Sequence, residues 1–338
     1  MKILAALCIP LCAAALLAQT SPPPQPKPKP APHRSAAAAP VDLHPRFVAG
    51  QVLRYKIELQ TTTVGGPSGS VQDSAASGQL VVTWNATVRI DVLAPEANST
   101  AAIRLRTTYE KSAAVVHSDS YDPAANAMQD QYQRLEGRAV EFVLDAQGKV
   151  LNVQGLGDLF NDAKALNDAK QWIEQLSSGP GAGGPGHAGA GVSIGQQWSA
   201  EQPADGLPLA GLVWRTTAGY LRNAPCPRAS APDDASSSSA PPNAEQCAVI
   251  ATHLNLRAPK TQHPATSDSL RARGMTATGT WTGEGESTSY VSLRRGWVVS
   301  VTQTGAENMD VTVTSEHEDS LRYAGTVRTR MNLQLLPE

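Results

Sequence analysis

Residues 80–92 carry the pattern that constrains this chain most. Leu80, Val82, Trp84, Ala86, Val88, Ile90 and Val92 are apolar, and Thr83, Asn85, Thr87, Arg89 and Asp91 between them are polar. A period of two is what a strand with one dry and one wet face requires; a helix repeats its faces every 3.6 residues. A half-wet strand belongs in an antiparallel sheet, because parallel strands are covered on both faces. The pattern recurs. Leu53, Tyr55, Ile57 and Leu59 alternate with Arg54, Lys56 and Glu58, and Ile103 and Leu105 with Arg104 and Arg106. Near the C-terminus Leu321, Tyr323, Val327, Met331, Leu333 and Leu335 alternate with Arg322, Thr326, Arg328, Arg330 and Gln334.

Runs of 13 to 15 residues span about 43–50 Å at a strand rise of 3.3 Å per residue, well beyond an ordinary strand. Strands of that length suit a coiled sheet or a barrel that closes only in part. One segment departs from period two. Leu156, Leu159, Phe160, Ala163, Leu166, Ile173 and Leu176 have helical spacing, Asp158 is a suitable N-cap, and Ser178, Gly179 and Pro180 form a stop. The expected fold is therefore mainly β: a long-stranded, strongly curved antiparallel sheet or half-barrel with one amphipathic helix over residues 156–176.

The chain opens like an exported protein. Lys2 precedes an apolar run over residues 3–17, the length of a signal-peptide core and too short for a comfortable membrane span. Cleavage after Ala18 fits, giving a signal peptide over 1–18. Cys8 and Cys12 lie inside the run, directly after Leu7 and Leu11, and lack the small-residue context of a lipid anchor. Residues 19–42 form a Pro-rich linker, whose seven prolines from Pro22 to Pro32 impose extended geometry. The β-rich domain is expected over 43–338, with a Gly-rich loop at 179–191. No later run of 18 apolar residues offers an integral membrane span. The expected location is periplasmic or extracellular. Cys226 and Cys247 are the pair left after signal removal, which reads as a disulfide in an exported chain.

The segment Glu136-Gly137, Phe142-Val143, Gly148, Val150 and Val153 recurs 148 residues later as Glu284-Gly285, Tyr290-Val291, Gly296, Val298 and Val301. Both copies read as hairpins with glycine in the turn. Gly50-Gln51 matches Gly195-Gln196, Leu80 matches Leu212, and Ile103 matches Ile250, in the same order. Two readings stand: a tandem β repeat over 45–154 and 195–335, or the hairpin grammar that β proteins share.

At these hairpins the chain resembles a group of uncharacterised exported bacterial β-rich proteins built on a domain of unknown function. The likeness rests on residues 51–55, 135–150, 195–198 and 283–290 and spans most of 45–305. It implies no known activity. The architecture also looks like the half-barrels of periplasmic lipoprotein carriers.

With a net charge of -2 the chain is too balanced for nucleic acid to be the default partner, and none is expected. No nucleophile elbow, zincin motif or phosphate loop is present. His117, Ser118, Asp119 and Ser120 hold triad residue types, but neighbours on a strand face opposite ways. Glu316, His317, Glu318 and Asp319 read as a polar turn rather than a metal site, and no cofactor is expected. What remains is apolar surface. Trp84 and Trp214 fall on the inward sets of their strands, and Leu105, Tyr109, Tyr220, Met331 and Leu333 line the same kind of face. They form either an ordinary core or a cavity for an apolar ligand. The expectation is a non-enzymatic envelope protein that binds or carries an apolar or lipid-like molecule. The alternative is a structural or protein-interaction module of the envelope, held off a surface by its Pro-rich spacer and partnered by an envelope protein.

Overall fold

The computed structural model describes residues 39–68, 78–95, 103–119, 123–145, 148–155, 173, 176, 191–204, 206–227, 245–258, 265–316 and 319–337. In chain order the elements are β1 (Val52–Ser68), β2 (Gln79–Leu93), β3 (Ile103–Ser118), α1 (Pro123–Gln133), β4 (Ala139–Leu144) and β5 (Val150–Gln154). There follow β6 (Gln197–Pro203), β7 (Leu209–Ala210), β8 (Val213–Pro225), β9 (Gln246–Arg257) and β10 (Ala265–Thr266). The series ends with α2 (Asp268–Arg271), β11 (Thr276–Ser292), β12 (Val298–Thr314) and β13 (Ser320–Leu335).

Eleven strands form one antiparallel sheet in the order β5-β4-β3-β2-β1-β13-β12-β11-β9-β8-β6. The sheet is open, with β5 and β6 at its two edges, while β7 and β10 form a separate pair. The long strands are real: β1, β11 and β12 each have 17 residues. Period two is visible in burial. Along β2, Val82, Trp84, Ala86, Val88, Ile90 and Val92 are all buried, and the residues between them are not. The other face is wet and ion-paired, as with Arg54 to Glu110 at 3.0 Å and Arg322 to Asp310 at 2.8 Å.

The single helix expected at 156–176 lies outside the described residues except for Ile173 and Leu176, both helical and both buried. α1 and α2 were not read from the sequence. α1 has a clear physical task. β4 pairs with residues 103–108 of β3, and Tyr109 bonds the backbone of Gly137 and Arg138, which leaves the strand edge beyond it without a neighbouring strand. Bare edges invite pairing with other chains. Here Val116 N–H donates to Gln129 Oε1 at 3.2 Å, and Ser112 N–H to Glu136 Oε2 at 3.1 Å. The helix and its following turn thus cap the edge with side chains. On the other side, Thr266 of β10 caps β11 by accepting from Ala277 N–H at 2.9 Å.

Read from the β6 edge, the sheet runs β6-β8-β9-β11-β12, then β13, then β1-β2-β3-β4-β5. Two meanders of five strands follow one another in the same direction, joined through β13. Their matched segments use the same hydrogen bonds. Gly50 N–H donates to Val92 O and Gly195 N–H to Tyr220 O, at 2.8 and 2.7 Å. Val92 N–H returns to Gln51 O and Tyr220 N–H to Gln196 O. In the hairpins, Gly148 and Gly296 adopt φ of 79° and 71°, and their N–H groups donate to Asp145 O and Ser292 O. Each hairpin shifts register by one residue, at Val143/Leu144 and at Tyr290/Val291.

Candidate functional site

The inward face holds three apolar clusters rather than one. The first spans β1 to β4 with α1, Ile173 and Leu176, and adds Trp297, Val298 and Leu333. The second gathers Leu207, Leu209, Leu212, Leu256, Leu270, Ala277, Trp281 and Val311. The third joins Leu43 and Val192 to Ala218, Tyr220, Ala248, Ile250 and Val291.

The seven aromatic and aliphatic residues singled out in the sequence divide among these clusters. Trp84, Leu105, Tyr109, Met331 and Leu333 meet in the first. Trp214 lies against the second and Tyr220 belongs to the third. The structure therefore brings five together and leaves two apart. Around Trp84 the packing is dense: its ring is 6.4 Å from Tyr109 and 5.2 Å from Tyr132, and its indole N–H donates to Ser112 Oγ at 2.9 Å. Ser112 Oγ in turn donates to Tyr132 O at 2.7 Å. Burial pushes the Tyr109 phenol up to about 12 and raises that of Tyr132 further, so both stay neutral at physiological pH. Tyr132 was missed in the sequence. Its signal is Met128, Tyr132 and Leu135 at helical spacing, all three buried.

In the second cluster the buried Glu307 accepts from the Trp281 indole N–H at 2.8 Å. Gly283 faces Glu307 across the β11–β12 pair, and a Cβ there would meet both Glu307 and the Trp214 ring. Glycine at this point makes room for an indole and a carboxylate on the same face.

A cleft of about 610 Å³ opens where β1 meets β13 and the β11–β12 turn. Residues 50–54, Arg295, Trp297 and residues 335–337 line it. Its walls come from sequence positions far apart and are tied by hydrogen bonds. Tyr55 O–H donates to Val298 O at 2.9 Å, Arg46 N–H to Arg295 O at 2.9 Å, and Leu336 N–H to Arg54 O at 2.8 Å. The Arg295 guanidinium lies 4.7 Å over the Trp297 ring, and the Trp297 indole N–H donates to Arg46 O at 3.3 Å.

Among the described residues, the two segments that the sequence offers for catalysis or metal binding do not gather into a site. His117 Nε2 is 3.8 Å from Asp119 Oδ1, with both side chains exposed at a strand end. Glu316 and Asp319 flank the β12–β13 turn, and residues 317 and 318 lie outside the described residues. Among the described residues no three His, Cys, Asp or Glu side chains group as metal ligands, and no helix is long and apolar enough to cross a membrane. Cys226 and Cys247 form a disulfide that ties the end of β8 to the start of β9.

No family model matches the chain, and no curated protein matches its sequence. Solved structures that bear a distant likeness include the following two. One is lipovitellin, in a structure concerned with its lipid–protein interactions, at 12% identity and a TM-score of 0.41, covering 87% of this chain and 26% of that one. The other is an outer membrane channel from Pseudomonas putida F1, at 6% identity and a TM-score of 0.19, covering 87% and 98%. The chain thus spans only about a quarter of the lipovitellin chain, and neither likeness bears on what it binds.

Proposed function

We propose that this chain is an exported, non-catalytic protein of the cell envelope that holds an apolar or lipid-like ligand against the inward face of its sheet. One observation carries the reading: the inward face holds three apolar clusters that are set apart, with the buried polar residues Gln303, Glu307 and Thr329 on the same face between them. A domain packed only on itself usually has one contiguous core with small satellites. Eleven strands at a spacing of about 4.8 Å give a sheet about 50 Å wide. Against that width α1, at 11 residues, is about 16 Å long, and α2 has only four residues. These two helices, with the helical Ile173 and Leu176, pack on parts of that face. The disulfide suits an oxidising compartment outside the cytoplasm.

Titration of the full chain with oleyl alcohol, a neutral long-chain molecule, followed by tryptophan fluorescence, tests the reading. Saturable binding with a change in indole emission is the expected result. The absence of saturable binding contradicts it.

A further inference from the structure

We propose that the cleft beside β1 is the site of an anionic group, a carboxylate or a phosphate, and that Arg295 takes its charge. The proposal rests on the reading above in naming the charged end of the same ligand. The binding of the anion itself can be measured separately.

Two arginines, Arg54 and Arg295, line the cleft, and Arg46 and Arg294 lie beside it in the chain segments that build it. Arg46 pairs with Asp42 at 3.7 Å, Arg294 with Glu245 at 3.8 Å, and Arg54 with Glu110 at 3.0 Å. Among the described residues, no carboxylate pairs with Arg295. Its guanidinium instead lies 4.7 Å over the buried Trp297 ring. A cation–π contact of this kind uses no carboxylate and satisfies none of the guanidinium N–H donors by a hydrogen bond, so they are left for a ligand. Those donors form a planar fork that matches a carboxylate or phosphate.

The backbone beneath this side chain is fixed at both ends. Arg295 N–H donates to Ser292 Oγ at 2.9 Å, and Arg295 O accepts from Arg46 N–H at 2.9 Å. The side chain thus starts from a fixed point, and the Trp297 contact favours one placement of its guanidinium, which lowers the entropy cost of binding. The surroundings suit an amphiphile. A volume of about 610 Å³ falls in the usual range of small-molecule sites. Leu53, Trp297 and Leu335 line the cleft and also belong to, or pack on, the first apolar cluster. A charged group on Arg295 would thus place its apolar remainder beside that cluster.

Calorimetric titration of the full chain with oleate, oleyl alcohol and inorganic phosphate tests this, using wild type, Arg295→Gln, Arg295→Lys and Arg294→Gln. Arg294 sits in the same turn with a carboxylate partner of its own and controls for damage to the turn. Oleate should bind wild type and Arg294→Gln alike, at least tenfold more weakly to Arg295→Gln, and with intermediate strength to Arg295→Lys. Oleyl alcohol should not distinguish the variants. Phosphate binding lost in Arg295→Gln, without oleate binding, would support the anion site and count against the lipid-like ligand. The proposal is overturned if neither anion binds, if Arg295→Gln binds oleate as wild type does, or if Arg294→Gln loses as much.

Discussion

Gln51 and Gln196 make the same hydrogen bond at the starts of β1 and β6. The side-chain carbonyl of each accepts from the backbone N–H three residues earlier, Val48 at 3.1 Å and Ser193 at 2.9 Å. Each residue's own N–H donates back to the carbonyl of that same residue at 3.0 Å. The two corners lie six strand spacings apart, about 29 Å. Gln51→Ala and Gln196→Ala should therefore each destabilise by a similar amount, about 1 kcal/mol, and the double variant should show the sum. Urea denaturation measures all three. A cost at one corner only would show that the shared geometry is not a shared use.

Ser112 links two buried groups, receiving the Trp84 indole N–H and donating to Tyr132 O. Ser112→Ala leaves the indole donor without that acceptor inside an apolar cluster. The expected cost is about 1–3 kcal/mol, because an unsatisfied buried donor loses its full solvation. Denaturant unfolding gives the number. A change near zero would mean that water reaches Trp84.

The disulfide closes a loop with a sequence separation of 21 residues. In the chain-entropy account such a closure stabilises by about 3 kcal/mol. Cys226→Ser with Cys247→Ser, or reduction, should lower the unfolding midpoint accordingly. Cys247 is fully buried and Cys226 half-buried, so a reductant reaches the bond from the Cys226 side alone, and reduction should be slower in the folded protein than in denaturant. Thiol titration with and without denaturant checks that.

Burial raises the phenol of Tyr109 from 10.0 to about 12, and those of Tyr55 and Tyr132 in the same direction. The unfolded chain ionises first as pH rises, so it binds fewer protons than the folded chain in that window. Stability from these residues is complete below pH 10 and falls as pH rises from 10 towards 12. Phenolate absorbance in the native protein should show a late-titrating set that moves to lower pH in denaturant. Uniform titration near pH 10 in the native state would contradict the packing around Trp84.

The strands read from the sequence were legible because they have one wet face, and alternation such as Leu80 to Val92 records that directly. The hairpin glycines were legible for a local reason as well, since Gly148 and Gly296 adopt positive φ. α1 escaped because its apolar residues are few: Met128 and Tyr132 within it, and Leu135 just beyond. The cleft escaped for a different reason. Alternation shows which face of a strand is dry, but not which strand lies beside it. Only the pairing of β1 with β13 and of β13 with β12 brings Arg54 near Arg295. In the sequence Arg295 is merely a charged residue in a turn.

Mass spectrometry of the protein purified from the envelope without detergent tests the central claim most directly, with intact native mass and organic extract measured on the same sample. The account predicts a mass above that of the bare polypeptide, removed by extraction and recovered as an apolar or amphipathic molecule in near-equal amount. A bare native mass and an extract free of such molecules would contradict it.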